Sequence, residues 1–178
     1  MNRYFRRQLA DYVEYHRDWW NGVMHVFGII SLFLGAVLPF STWPISLFGI
    51  PTTAAVIAAL PVLAYWLLLD VTLGAGIVVA AALLLSAADI LVAHLNAAGL
   101  WSFTVALIVI GITCQVVGHR VFERRQPALV DNPAHFLLGP MFVMAKLFVA
   151  LGFKHDLAII LRAPSKPSGG PSVYPEQL

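Results

Sequence analysis

The stretch Val71–Ala93, VTLGAGIVVAAALLLSAADILVA, decides the fold class. It holds a single charged residue, Asp89, and is longer than the about 20 residues an α-helix needs to cross a bilayer. Gly22–Phe40, Thr52–Leu69 and Leu100–Gly118 read the same way, which predicts four spans. Residues 19–118 contain no Lys or Arg, and only Asp70 and Asp89 interrupt them. Over all 178 residues, 60% are hydrophobic and 11% charged, against about 45–50% and about 25% in soluble domains. Mean hydropathy is +0.81. These counts exclude a soluble globular domain, a disordered chain, a coiled coil and a nucleic-acid-binding domain. The single cysteine, Cys114, excludes a disulfide framework. The start, MNRYFRRQLADYVEYHRDWW, is polar for too long to be a signal peptide, so the first span is expected to be retained.

Pro44, Gly49 and Pro51 mark the connection Ser41–Pro51 as a turn region. The other two connections, near Asp70–Gly74 and Leu95–Gly99, are short, which predicts antiparallel neighbours in an up-down bundle. Small residues such as Gly74, Gly76, Ala80, Ala81 and Ala88 would let helices approach closely. Arg3, Arg6, Arg7 and Arg17 precede the first span, and Arg120, Arg124 and Arg125 follow the fourth. An even number of spans then puts both termini in the cytoplasm by the positive-inside rule. Phe136–Phe153 is apolar but carries Lys146 at its centre and Gly139-Pro140 near its start. It reads as an interfacial or re-entrant helix. The fold class is therefore all-α: an integral membrane four-helix bundle with an N-terminal polar helix and this C-terminal element. Residues 1–162 form one membrane-embedded domain, and 163–178, rich in Pro, Gly and Ser, form a disordered tail.

This topology sorts the six histidines by depth. His16 ends the polar helix, His25 lies about one turn (roughly 5 Å) into the first span, and His119 closes the fourth. All three lie on the cytoplasmic side, as does His135 in a loop. His94 is at the opposite face, and His155 follows the last helix. Imidazole is the commonest metal ligand, and ionisable groups within a membrane mark functional sites. Gln115, His119 and Glu123 recur every four residues and share one helix stripe, as do Asn21 and His25. His16 and His25 are half a turn out of phase on a straight helix, so a shared site needs a break, expected near Trp20–Gly22. Plainer readings stand beside this one. His94, His135 and His155 fit hydrogen-bonded interfacial residues. Glu123 fits a solvated charge pair with its arginine neighbours, and Trp19, Trp20 and Trp101 fit the aromatic belt. From spacing alone, a three-histidine metal site and a set of unrelated interfacial histidines both stand.

Two segments carry a resemblance. One is Tyr12-Val-Glu-Tyr15-His16, followed by Asn21 and His25. The other is Gln115-Val-Val-Gly118-His119-Arg-Val-Phe122-Glu123, followed by Pro127-Ala128-Leu129-Val-Asp131-Asn132, then Pro140 and Phe142. Over about residues 4–155 the chain resembles the membrane 2-hydroxy fatty acid dioxygenases, a family with members in fungal phytosphingosine breakdown and in bacteria. It departs from the family pattern with Ile29-Ile30, where a proline is common, and with Lys146, where an acidic residue is common. The resemblance implies an Fe(II)-dependent enzyme of α-oxidation that removes one carbon from a long-chain 2-hydroxy fatty acid, with O2 as co-substrate. It places His16, His25 and His119 as metal ligands. Glu123 is then either a carboxylate ligand or a group that orients a histidine, and Asn21, Gln115 and Tyr12 are supporting or substrate-contacting candidates. Three imidazoles would leave open positions for a chelating hydroxy acid and O2. The lipid bilayer is the expected partner, a homo-oligomer is left open, and the bacterial members imply an inner-membrane location.

Two other classes remain at this stage. A small transporter would show repeated halves and mid-membrane charge, whereas the polar residues here crowd one face. A haem protein with two axial histidines would show a Soret band. The topology itself is directly testable. A reporter fused after Leu178 should read as cytoplasmic; an external signal would mean an odd number of spans.

Overall fold

The computed structural model describes residues 2–124 and 133–161. The end of the second motif, Pro127–Asn132, and the tail 163–178 lie outside the described residues. The first helix, α1 (Arg3–Glu14), starts where the Asn2 side chain accepts from the Phe5 amide at 2.7 Å. Its apolar positions Phe5, Leu9, Tyr12 and Val13 recur at helical spacing and are buried, while Arg3, Arg6 and Arg7 face outward. Helix α2 (Trp19–Ser41) follows, capped by Asp18, whose carboxylate accepts from the Trp20 and Asn21 amides at 2.7 and 3.1 Å. The break between His16 and His25 therefore falls before Asp18. The expected site, Asn21-Gly22, is helical, because the Asp18 cap satisfies the first amides of a helix that begins ahead of it.

Strands β1 (Pro44–Leu47) and β2 (Ile50–Thr53) form an antiparallel hairpin in the connection read as a turn region. Phe48 and Gly49 both have positive φ, 53° and 80°, as a two-residue primed turn requires. The hairpin takes up Thr52 and Thr53, which hydropathy places in the second span. Helix α3 (Ala54–Leu69) is consequently 16 residues long, about 24 Å and shorter than the hydrocarbon core of about 30 Å. Helices α4 (Val71–His94) and α5 (Ala97–Val117) are full-length. Among the described residues, three helices are long and apolar enough to cross a membrane: α2, α4, and α5 with its extension to Glu123. Their outer faces carry exposed Phe27, Leu83, Ile90, Trp101 and Val109, a surface suited to lipid. Helix α6 (Leu138–Ala150), preceded by a tight turn at Pro133–Leu137, breaks at Leu151 and turns by 119° into α7 (His155–Leu161). That is the course of a broken span or of a re-entrant loop, and the second of these is the reading given to Phe136–Phe153.

Helices α2 and α5 cross in close contact. A Cβ on Gly111 would lie 2.5 Å from Leu32 Cγ, and one on Gly28 would lie 2.6 Å from Gln115 Nε2. Of the small residues expected to bring helices together, Gly74 does so against the α3 backbone at Leu67, whereas Ala80 and Ala81 line a cavity. The main core joins the two ends of the chain: Phe5, Leu9, Tyr12 and Val13 of α1 pack with Leu138, Met141 and Phe142 of α6 and Leu157 and Ile160 of α7. Asp70 sits at the edge of this core. It caps α4 through the Leu73 amide at 3.0 Å and pairs with Lys154 Nζ at 3.0 Å.

Burial pushes the Asp70 carboxyl pKa up, but the Leu73 amide and the Lys154 ammonium outweigh it, so the net shift is downward. A depressed carboxyl contributes stability that is present above its unfolded pKa of about 3.9 and is lost as pH falls through the folded value. Asp70→Asn keeps the capping oxygen and removes the ion pair. Thermal unfolding in detergent should therefore show a shallower acid loss for Asp70→Asn than for the native chain. Asp70→Ala should cost about 1 kcal/mol more than Asp70→Asn through the cap.

Candidate metal centre

Helix α1 ends at Glu14, and the His16 amide donates back to the Val13 carbonyl at 3.0 Å, which turns the chain inward. His25 lies on the inner face of α2. His119 sits in a widened turn, Gly118–Glu123, where α5 changes to i→i+5 hydrogen bonding, a feature that recurs at functional sites. These three elements bring the three rings together. All are buried, and each offers a nitrogen within 4.8 Å of the other two. Ring centroids are 4.2, 4.8 and 4.9 Å apart, and each pair meets edge to face.

The hydrogen bonds fix which nitrogens face the centre. His16 Nδ1 lies 2.8 Å from the Tyr12 carbonyl, which can only accept, so Nδ1 carries the proton. His25 Nδ1 lies 3.0 Å from Asn21 Oδ1. The orientation of that amide is set, because Asn21 Nδ2 donates to the Tyr15 carbonyl at 3.3 Å and to Glu123 Oε1 at 3.1 Å. Asn21 therefore accepts, and His25 Nδ1 also carries its proton. Both Nε2 atoms are left with lone pairs, and they face each other at 2.9 Å. Two lone pairs at that distance repel unless a cation or a proton lies between them. Two nitrogens bound at a right angle to one metal at about 2.1 Å stand about 3.0 Å apart. His119 Nδ1 is buried with no partner among the described residues. Two opposed lone pairs, with a nitrogen of the buried His119 ring within 4.8 Å of them, are a donor set that fits a divalent metal. Burial above all, and then the neighbouring His25 ring, hold the His16 pKa well below the ordinary imidazole value, so it is neutral, as a ligand must be.

The surroundings hold the rings in place. Tyr12 stacks on His16 with centroids 3.9 Å apart and planes within 6°, and Phe142 packs on it at 5.3 Å. Burial pushes the Tyr12 hydroxyl pKa up and keeps it neutral. Glu123 Oε1 accepts from the Asp18 amide at 2.7 Å as well as from Asn21. Among the described contacts Glu123 thus stands one hydrogen bond further out than a carboxylate on a ring nitrogen. It grips the residue that grips His25. Gly118 leaves room for this, since a Cβ there would collide with Asn21 Oδ1.

The rings open onto a cavity of about 470 Å³ that Tyr12 and Gln115 also line. The walls below them are apolar: Ile29, Leu32, Phe33 and Ala36 of α2, with Ile112 and Val116 of α5. His94 is exposed at the far end of α4, its Nδ1 on the Ile90 carbonyl at 2.8 Å, and His155 is exposed at the start of α7. His135 was read as a plain interfacial residue, yet it lines the cavity. Its Nε2 lies 3.2 Å from Asp11 Oδ2, and its ring meets Tyr12 edge-on at 5.3 Å. Only its expected depth, level with His16, His25 and His119, pointed to this, because nothing in a loop without periodicity predicts its approach to α1. Lys146 Nζ stands 4.4 Å over the Phe142 ring, a cation–π contact.

A family model described as "2-hydroxy-palmitic acid dioxygenase Mpo1-like" matches residues 2–151. The chain is also 45% identical over 62 residues to the 2-hydroxy-palmitic acid dioxygenase MPO1 of Saccharomyces cerevisiae (strain ATCC 204508 / S288c). That alignment covers 30% of this chain and 36% of the yeast protein, so the chain matches about a third of that relative's length. No solved structure matches. The resemblance carried by the two histidine segments is borne out across most of the sequence, and the chain belongs to the Mpo1-like family.

Proposed function

We propose that this protein is an Fe(II)-dependent dioxygenase that shortens long-chain 2-hydroxy fatty acids by one carbon, with O2 as co-substrate. The observation that carries the reading is the pair of Nε2 lone pairs opposed at 2.9 Å beside His119. His16, His25 and His119 would hold the metal, whose bound form supplies the redox chemistry with O2 that breaks the bond between C1 and C2. The protein's own part is positioning. The Tyr12 carbonyl and Asn21 fix two ring tautomers, and Glu123 fixes Asn21. The carboxyl and hydroxyl of the acid would meet the histidine end of the cavity. Its tail would run along the α2 stripe from Ile29 to Ala36, among walls that exclude water. The apolar exterior suits a protein that takes such acids from the bilayer, where they dissolve. We take residues 1–162 as one catalytic unit, with both termini cytoplasmic as the arginine distribution suggests.

A bis-histidine haem fits less well. The three rings pack on one another edge to face with centroids 4.2, 4.8 and 4.9 Å apart, which leaves no room for a flat macrocycle between any two of them.

The test is oxygen consumption by purified protein with Fe(II), with and without 2-hydroxypalmitic acid. Uptake that requires both, with release of a fatty acid one carbon shorter, is expected; no uptake in iron-loaded, folded protein would contradict the reading. Replacing any one of His16, His25 and His119 by Ala should remove most bound metal and essentially all turnover. His94→Ala should keep both, as it lies at the opposite end. Glu123→Ala should lower metal affinity about 10–100-fold by freeing Asn21. Glu123→Gln, which keeps an accepting oxygen, should lower it less. Equal loss in Glu123→Gln and His25→Ala would instead make Glu123 a ligand.

A further inference from the structure

A second cavity of about 460 Å³ lies between α2, α3, α4 and α6. Small side chains create it: Ala55, Ala58 and Ala59 on α3, and Ala80 and Ala81 on α4. Its lining is wholly apolar apart from the Trp66 indole, and that N–H already donates to the Leu137 carbonyl at 2.7 Å. Nothing in it can satisfy a polar head group, so it suits only hydrocarbon. Along α2 its lining runs from Val26 to Phe40, about 21 Å at 1.5 Å per residue.

This cavity adjoins the histidine cavity. Ile29, Phe33 and Ala36, at i, i+4 and i+7 on one face of α2, line both. Phe33 is the largest of the three. Its ring packs against Trp66 with centroids 5.9 Å apart, and Trp66 is anchored through its indole. The partition between the cavities is thus one aromatic side chain flanked by smaller aliphatic ones.

We propose that the second cavity receives the far end of the substrate's acyl chain, and that Phe33 sets how much chain passes into it. The inference rests on the reading of the first cavity as the site for a 2-hydroxy acid. The head group stays at the histidines, the proximal methylenes follow Ile29 and Leu32, and longer chains cross beside Phe33 into the chamber. Trp at position 33 narrows that passage, and Ala widens it. An acyl chain of the surrounding bilayer is the other source of hydrocarbon. If such a chain fills the chamber in place of the substrate tail, Phe33 has no bearing on chain length.

The experiment measures binding of 2-hydroxydodecanoic, 2-hydroxypalmitic and 2-hydroxylignoceric acids to the detergent-solubilised, iron-loaded protein, with iron content determined on the same samples. Phe33→Trp should lower the affinity ratio of the longest to the shortest acid by on the order of tenfold, about the worth of two buried methylenes. Phe33→Ala should raise that ratio. Phe33→Leu, which keeps more of the packing on Trp66, takes its place if the Ala variant does not fold. Folded variants with the native ratio would overturn the chamber while leaving the dioxygenase reading intact. A native protein that binds none of the three acids would overturn the reading on which it rests, and the chamber with it.

Discussion

Two imidazole nitrogens with lone pairs aimed at each other, His16 Nε2 and His25 Nε2 at 2.9 Å, are the constraint on which the rest of the structure turns. The arrangement is unfavourable in itself. It persists because each ring is held from behind by an acceptor, the Tyr12 carbonyl for one and Asn21 Oδ1 for the other. Those acceptors are held in turn by a buried aromatic stack and by Glu123. Strain against a local preference, retained by over-determined surroundings, is the pattern expected at a functional site. In a low-dielectric interior, opposed lone pairs make a strong receptor for a cation, and neutral imidazoles cost less to bury than carboxylates would.

The supporting architecture joins parts far apart in the chain. Helix α1 begins against the end of α3, where the Asn2 amide donates to the Leu69 carbonyl at 3.2 Å, and ends at Glu14, two residues before His16. Its apolar face is buried by α6 and α7, so the bent C-terminal pair presses the first histidine onto the second. Asp70 and Lys154 close the same corner. The α2–α5 seam, tight enough to need Gly28 and Gly111, brings His25 and His119 to one level. Away from that seam α2, α3 and α4 separate around alanines, which leaves apolar space below the three histidines. Close contact at one end and loose packing at the other thus set a second apolar cavity beside the histidine pocket.

Much of this was legible in the sequence, for physical reasons. The absence of Lys and Arg over residues 19–118 fixes where the membrane lies, and so sorts His16, His25 and His119 from His94. The i, i+4 repeats of Asn21 and His25, and of Gln115, His119 and Glu123, place partners on common faces. Other features were not legible. Asn21-Gly22 looks like a turn, but Asp18 starts the helix earlier, and Asn21 spends its side chain on His25 and Glu123. Thr52-Thr53 looks like the start of a span, yet it belongs to a strand, Ile50–Thr53, that pairs with Pro44–Leu47 through a Phe48-Gly49 turn lacking the usual Asn-Gly or Asp-Gly mark. His135 reaches the cavity only through tertiary packing against Tyr12 and Asp11, which no local pattern encodes.

The central claim is that three imidazoles converge on one iron. X-ray absorption at the iron edge, on protein loaded anaerobically with Fe(II), tests it most directly. The account predicts a first shell of nitrogen and oxygen near the imidazole distance of about 2.0–2.1 Å, with outer-shell scattering from three imidazole rings. A sulfur-containing shell, or scattering from one ring or none, would contradict it.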